Sequence, residues 1–233
     1  METPVTYTLD GAVATIAMDD GKVNALSPRM LAEIDAAFDR AQQDGAGVIL
    51  AGRKGTFSAG FDLKVLRGGG VEAVDMLIAG FRLAAKILAF PRPVVIACSG
   101  HAVAMGAFLL LSGDHRVGAS GDFRFVANEV AIGLTMPHTA VEICRQRLTP
   151  AAFNRAVILA EPFTPEEALA AGFIDVLVPM DEVLETSRNA AARFSQLNAD
   201  AHTASKLRAR SRALGSIAAA VEADEAALRS FLG

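Results

Sequence analysis

Along the first half of the chain, hydrophobic positions arrange themselves in a returning order of strand, strand and helix. Residues 5–9 and 13–18 are rich in apolar and β-branched side chains and meet at Asp10-Gly11, a dipeptide suited to a tight hairpin turn, so paired strands are expected there. Ser27-Pro28 then offers an N-cap and a first-turn proline, and Met30, Leu31, Ile34, Ala37, Phe38 and Ala41 recur at helical spacing until Gly45. Residues 48–51 and 94–98 are apolar without a break and read as buried strands. A helix over 76–88 lies between them, and Pro91-Arg92-Pro93 ends it. A further helix near 105–111 leads to a strand near 115–118. No sequence repeat accompanies this structural one.

Beyond Thr149 helix signals take over. Thr149-Pro150 opens one helix, and Thr164-Pro165-Glu166-Glu167 opens another with a reciprocal threonine and glutamate cap. That helix ends on the glycine of Ala171-Gly172-Phe173-Ile174-Asp175, followed by a short strand through Val178. Residues 179–233 predict two or three alanine-rich amphipathic helices, which divides the chain into a 1–178 core and a 179–233 helical region.

The 233 residues are 52% hydrophobic, enough for a sizeable core. A net charge of -4 gives no basic footprint, so nucleic acid is a poor partner. The locally basic stretch 202–212 reads as a solvated helix face. Cys98 and Cys144 sit in apolar surroundings without metal spacing and read as buried free thiols of a reduced compartment. No secretory signal is visible, and residues 94–111 are interrupted by Ser99, Gly100, His101 and Gly106, so a cytoplasmic protein without a membrane span is expected. No metal, nicotinamide or flavin site is evident; Gly68-Gly69-Gly70 lacks a preceding strand and a G-K-(S/T) ending, which makes it a mobile loop rather than a phosphate cradle.

Two segments carry the chemistry. Phe57-Ser58-Ala59-Gly60-Phe61-Asp62-Leu63 and Ser99-Gly100-His101-Ala102-Val103-Ala104-Met105-Gly106-Ala107-Phe108 each follow an apolar strand and set a glycine beside residues that open a helix. Two backbone amides placed this way converge on one oxygen and stabilise charge developing on it.

These segments, with Gly21-Lys22-Val23-Asn24-Ala25-Leu26 and Asn128-Glu129-Val130-Ala131-Ile132-Gly133-Leu134, resemble the crotonase superfamily, the enoyl-CoA hydratase and isomerase family. The resemblance implies an α/β fold, the crotonase (ClpP-like) spiral of ββα units, with a C-terminal helical region that trimerises and covers the active site. It also implies a homotrimer or dimer of trimers, and an acyl-CoA thioester as substrate with no permanently bound cofactor. It places the Phe61 and Met105 amides as the oxyanion donors and Glu129 as the acid/base. Ser58, Ala59, Gly60, Lys22 and Asn24 are expected along the coenzyme A channel, Lys206 at a phosphate, and Gly106, Phe108 and His138 near the acyl group.

Asp62 is expected to cap the helix after the first loop, and His101 to be a satisfied core histidine; Glu142, one turn after His138, is a further candidate. Phe108 stands where hydratase-type relatives carry a second glutamate. One base suffices to move a double bond from β,γ to α,β, and the apolar neighbours Ala127, Val130 and Ile132 suggest a Glu129 carboxyl of raised pKa, so an isomerase is the leading expectation. An enoyl-CoA hydratase using a non-standard second group is the alternative, and a noncatalytic acyl-CoA binder or scaffold is the reading from another class. Ser58 and Ser99 lack the G-x-S-x-G elbow of a hydrolase.

Overall fold

The computed structural model describes residues 3–230 and Leu232. Strand β1 (Val5–Asp10) turns through Gly11 into β2 (Val13–Met18), and the two pair antiparallel with Val5 opposite Met18. Helix α1 (Pro28–Gln43) follows, started by the Ser27 side chain accepting from the Met30 amide, with its six periodic apolar residues all buried. The next units are β3 (Gly47–Ala51), β4 (Gly55–Ser58), α2 (Leu63–Gly68) and α3 (Gly70–Ala89), then β5 (Val94–Cys98), β6 (Gly100–Val103) and α4 (Met105–Ser112). β7 (His115–Ala119) and β8 (Phe125–Val126) lead to α5 (His138–Arg145), α6 (Pro150–Leu159), α7 (Pro165–Ala171), β9 (Val176–Val178), α8 (Val183–Phe194) and α9 (Ala199–Ser230).

From β3 onward the first strand of each unit enters a six-stranded sheet ordered β1-β2-β3-β5-β7-β9, parallel except for β1 with β2, while the second enters a parallel three-stranded sheet ordered β4-β6-β8. The chain therefore winds as a spiral between two sheets. The uninterrupted apolar runs are explained by burial on both faces: Val48, Leu50, Ile96 and Cys98 point into the main core, and Ile49, Val95 and Ala97 point into a second one closed by Val183, Ala190 and Ala191 of α8. The last helix packs on α3 and α5, and its Ile217 and Val221 join the main core.

Several sequence readings are corrected. Gly68-Gly69-Gly70 is a helix-to-helix junction rather than a loop, because Gly69 (φ 65°) and Gly70 (φ 69°) take the left-handed backbone that closes α2 and opens α3 within one residue. The helix expected over 76–88 starts six residues earlier for the same reason. Within the basic stretch, Lys206 and Arg210 turn inward: Lys206 Nζ lies 2.7 Å from Asp114 Oδ2 and Arg210 Nη1 lies 2.8 Å from Asp114 Oδ1. Lys206 is thus committed to an internal ion pair and is not presented to a phosphate; burial, the largest cause, with Arg210 and Arg147 nearby, lowers its pKa to about 8 against the pull of Asp114.

Candidate active site

Three parallel strands deliver the chemistry to one edge. β4 runs out into Ala59-Gly60-Phe61, β6 into Ala104-Met105 and β8 into Ala127-Asn128-Glu129, and β6 lies between the other two. Neighbouring strands stand about 4.8 Å apart, so the outer two are separated by roughly 10 Å, the scale of a small reacting group.

The first loop is built largely from its own polar atoms. Asn24, at φ 51° and fully buried, donates from Nδ2 to the Met18 and Phe57 carbonyls at 3.0 and 3.1 Å, while its Oδ1 accepts from the Asp20 amide. Ser58 Oγ donates to the Asn24 carbonyl at 2.8 Å and accepts from the Gly60 amide at 3.1 Å. The side chains of Asn24 and Ser58 are therefore spent on shaping the loop, whereas Lys22 and Ala59 are exposed at its rim.

Phe61 forms a parallel bridge with Leu26, in which the Leu26 amide bonds the Gly60 carbonyl and the Asp62 amide bonds the Leu26 carbonyl. That pattern uses the residues flanking Phe61 and turns its own N–H to the opposite side. Among the described residues the Phe61 amide donates to no other group.

Met105 opens α4, whose first amides have no partner within the helix. The Ala104 amide is fixed at 2.8 Å to the Val126 carbonyl of β8, and Ala104 itself is held at φ 49°, a strained geometry for a residue with a Cβ.

The two loops touch. A Cβ on Gly60 (φ 89°) would come within 2.9 Å of Ala104 Cβ and 3.4 Å of the Met105 nitrogen, so only glycine lets the loops approach. The Phe61 ring lies against Gly80 of α3, where a Cβ would meet Phe61 Cε1 at 2.5 Å and Met105 Cγ at 3.5 Å. Gly106 packs on Ser58, and Phe108 is 1% exposed within the main core.

Glu129 is 8% exposed, and its Oε2 is buried without a hydrogen-bond partner. Burial pushes its pKa up to about 7, slightly offset by its own amide. Of the three apolar neighbours read from the sequence, Ala127 is buried, but Val130 and Ile132 are exposed at 42% and 57%; the Cys144 thiol of α5 is raised by burial and by the nearby Glu129 charge. The Ile132 and Leu134 amides bond the Glu129 carbonyl at 3.1 and 2.9 Å and fix the turn.

The other candidates fall outside this edge or serve structure. Asp62 caps α2 through the Lys64 amide. His101 accepts the Arg124 amide on Nδ1 at 3.1 Å and stacks edge-on with Phe123. His138 is exposed at the start of α5, and Glu142 pairs with Arg145 on the outer side of that helix. Two buried oxygens escaped the sequence reading, Asn128 Oδ1 and Thr139 Oγ1, both without a partner. Among the described residues no group of three or more His, Cys, Asp or Glu is arranged to hold a metal, and no helix is long and apolar enough to cross a membrane.

Free main-chain N–H donors and a buried carboxyl at the end of one sheet are groups suited to stabilising charge that develops on an oxygen. The enoyl-CoA hydratase/isomerase family model matches residues 8–231, and the chain belongs to that family, with the crotonase spiral fold. It is 33% identical over 189 residues to a probable enoyl-CoA hydratase, EchA17, of Mycobacterium avium, covering 79% of this chain and 73% of the relative. Among solved structures it is 51% identical to an enoyl-CoA hydratase, EchA3, from Mycobacterium marinum (TM-score 0.92, 96% and 98% of the two chains). A Mycobacterium tuberculosis structure described as an enoyl-CoA isomerase shares 48% identity (TM-score 0.93, 97% and 99% covered). Human mitochondrial Δ3-Δ2-enoyl-CoA isomerase shares 26% (TM-score 0.92, 99% and 92% covered).

Proposed function

We propose that the protein shifts the double bond of a β,γ-unsaturated acyl-CoA to the α,β position, with Glu129 as the single proton shuttle. The observation that carries this reading is a buried carboxyl near neutral pKa at the same end of the three-stranded sheet as the unbonded Phe61 amide and the first amide of α4; the family resemblance puts Phe108 where a hydratase has its second acid. The thioester oxygen accepts from the Phe61 and Met105 amides. Glu129 takes a proton from C2, the C–H pair moves into the carbon framework, and the dienolate charge rests on the thioester oxygen. As the carbonyl re-forms, the C3–C4 π electrons take the same proton at C4 and a C2=C3 bond results, so atoms and charge balance without a cofactor. Coenzyme A lies over the rim formed by Lys22 and Ala59, beside the buried Gly60 backbone.

Water addition to a 2-enoyl-CoA is the second reading. It is favoured by the relatives described as hydratases and by the unpartnered Asn128 Oδ1, an acceptor beside Glu129. Turnover of trans-3 against trans-2 enoyl-CoA by the purified protein separates the two: the proposal expects the 3-enoyl compound to be consumed at least tenfold faster. Rapid hydration with no double-bond shift overturns it. A cytoplasmic enzyme is inferred with it, and the family resemblance implies an assembly of three or six copies.

A further inference from the structure

Helix α5 begins without a cap of its own. Pro137 stands at the N-cap and has no side-chain acceptor for the first amides, which a helix otherwise leaves unbonded. The acceptor comes from far along the chain. Asp224 of α9 takes the His138 amide on Oδ1 at 2.9 Å and the Thr139 amide on Oδ2 at 2.8 Å, across 86 and 85 residues. It is 6% exposed, although its neighbours Glu222 and Ala223 face solvent. A buried carboxylate without a cation is costly unless N–H groups meet its charge, and the start of a helix supplies them.

The helix fastened in this way follows the Glu129 turn in the chain and packs on α4 and on α6, and α6 itself packs against that turn. Its buried face carries Thr139, Ala140, Ile143 and Cys144, and Cys144 is close enough to Glu129 to feel its charge. Between Glu129 and α5, residues 130–135 are all exposed, with the Glu129 turn holding the segment at one end and Asp224 at the other.

We propose that Asp224 is a positioning residue for Glu129: by clamping the first turn of α5 it keeps that helix closed over the glutamate carboxyl and keeps water out. Removing the clamp frays the turn, admits water and lowers the affinity of Glu129 for its proton. The ionisable groups on the surrounding elements leave water entry as the variable. α4 has none; α5 turns only Cys144 inward, with His138, Glu142 and Arg145 on its outer side; and α6, packed on the turn at 130–132, has Arg155 engaged with Glu161.

The consequence for turnover rests on the proposed proton shuttle, but the geometry does not, and the test separates them. Side-chain carboxyl carbons are followed by NMR in 13C-glutamate-labelled protein, with the Glu129 signal assigned by its loss in Glu129→Gln. The wild-type midpoint is expected near 7. In Asp224→Ala it falls by at least one pH unit, a tenfold loss of proton affinity, and in Asp224→Asn, which keeps one acceptor oxygen, it falls by less. The low-pH limb of kcat/KM for 3-enoyl-CoA moves down with it. Unmoved midpoints in folded variants overturn the proposal, even with turnover intact. A lowered midpoint in a protein that turns over no enoyl-CoA supports the clamp while overturning the proposed reaction. If circular dichroism shows Asp224→Ala unfolded, the midpoint of Asp224→Asn against wild type decides.

Discussion

At Glu129 the competition is between solvation and chemistry. A carboxyl with one buried oxygen unpartnered destabilises the folded protein when ionised, and that is what makes it a base near neutrality. Its folded pKa of about 7 lies above its ordinary 4.5, so the native state holds the proton more tightly than the unfolded chain. Glu129 therefore favours folding fully below about 4.5, and this contribution is lost as pH rises to about 7, a change on the order of 3 kcal/mol. Glu129→Gln is expected to flatten the fall in stability across that window, measured by denaturant unfolding at several pH values, while kcat/KM drops at least a hundredfold. Wild-type kcat/KM should rise with pH and level off above about 7. Gly60→Ala tests the loop contact: a methyl 2.9 Å from Ala104 Cβ at φ 89° must separate the two amides, and a loss of at least tenfold in kcat/KM is expected along with about 1–3 kcal/mol of stability.

At the scale of elements, α2 sits directly after the first oxyanion loop and has no fully buried residue, so its cap matters more than its packing. Asp62→Ala removes the bond to the Lys64 amide at 2.8 Å and should cost about 1 kcal/mol, seen as faster hydrogen exchange in α2 with exchange in the strands unchanged. The caps and strands were legible because Ser27, Thr149 and Thr164 act locally on amides three residues away, and each takes that role. The two glycine loops at the ends of β4 and β6 were legible as short motifs for the same reason. What could not be read were pairings over long separations: Asp114 with Lys206 and Asp224 with His138 are 92 and 86 residues apart, and nothing local marks a charged residue as inward-facing. The glycine triplet misled because a mobile loop and a single-residue helix junction have the same composition.

Across the whole molecule, α9 is secured toward both ends of its packed length by acids, the half-buried Asp114 near its start and its own buried Asp224 near its end. Asp114 meets Lys206 and Arg210, whose side chains are 5% and 14% exposed, and also accepts the Val94 amide at the head of β5. Removing the acid strands both cations, and Asp114→Ala should cost about 3–5 kcal/mol in equilibrium unfolding, whereas Lys206→Met, which leaves the acid its arginine, should cost less. The spiral itself follows from strands alternating between two sheets, and it is this alternation that brings residues 61, 105 and 129 to one edge. Transfer of a label within the acyl-CoA tests that convergence most directly. With 3-enoyl-CoA deuterated at C2, the wild-type protein should carry deuterium to C4 on the timescale of turnover, and Glu129→Gln should slow this at least a hundredfold. Equal transfer in both proteins, or none in either, would contradict the account.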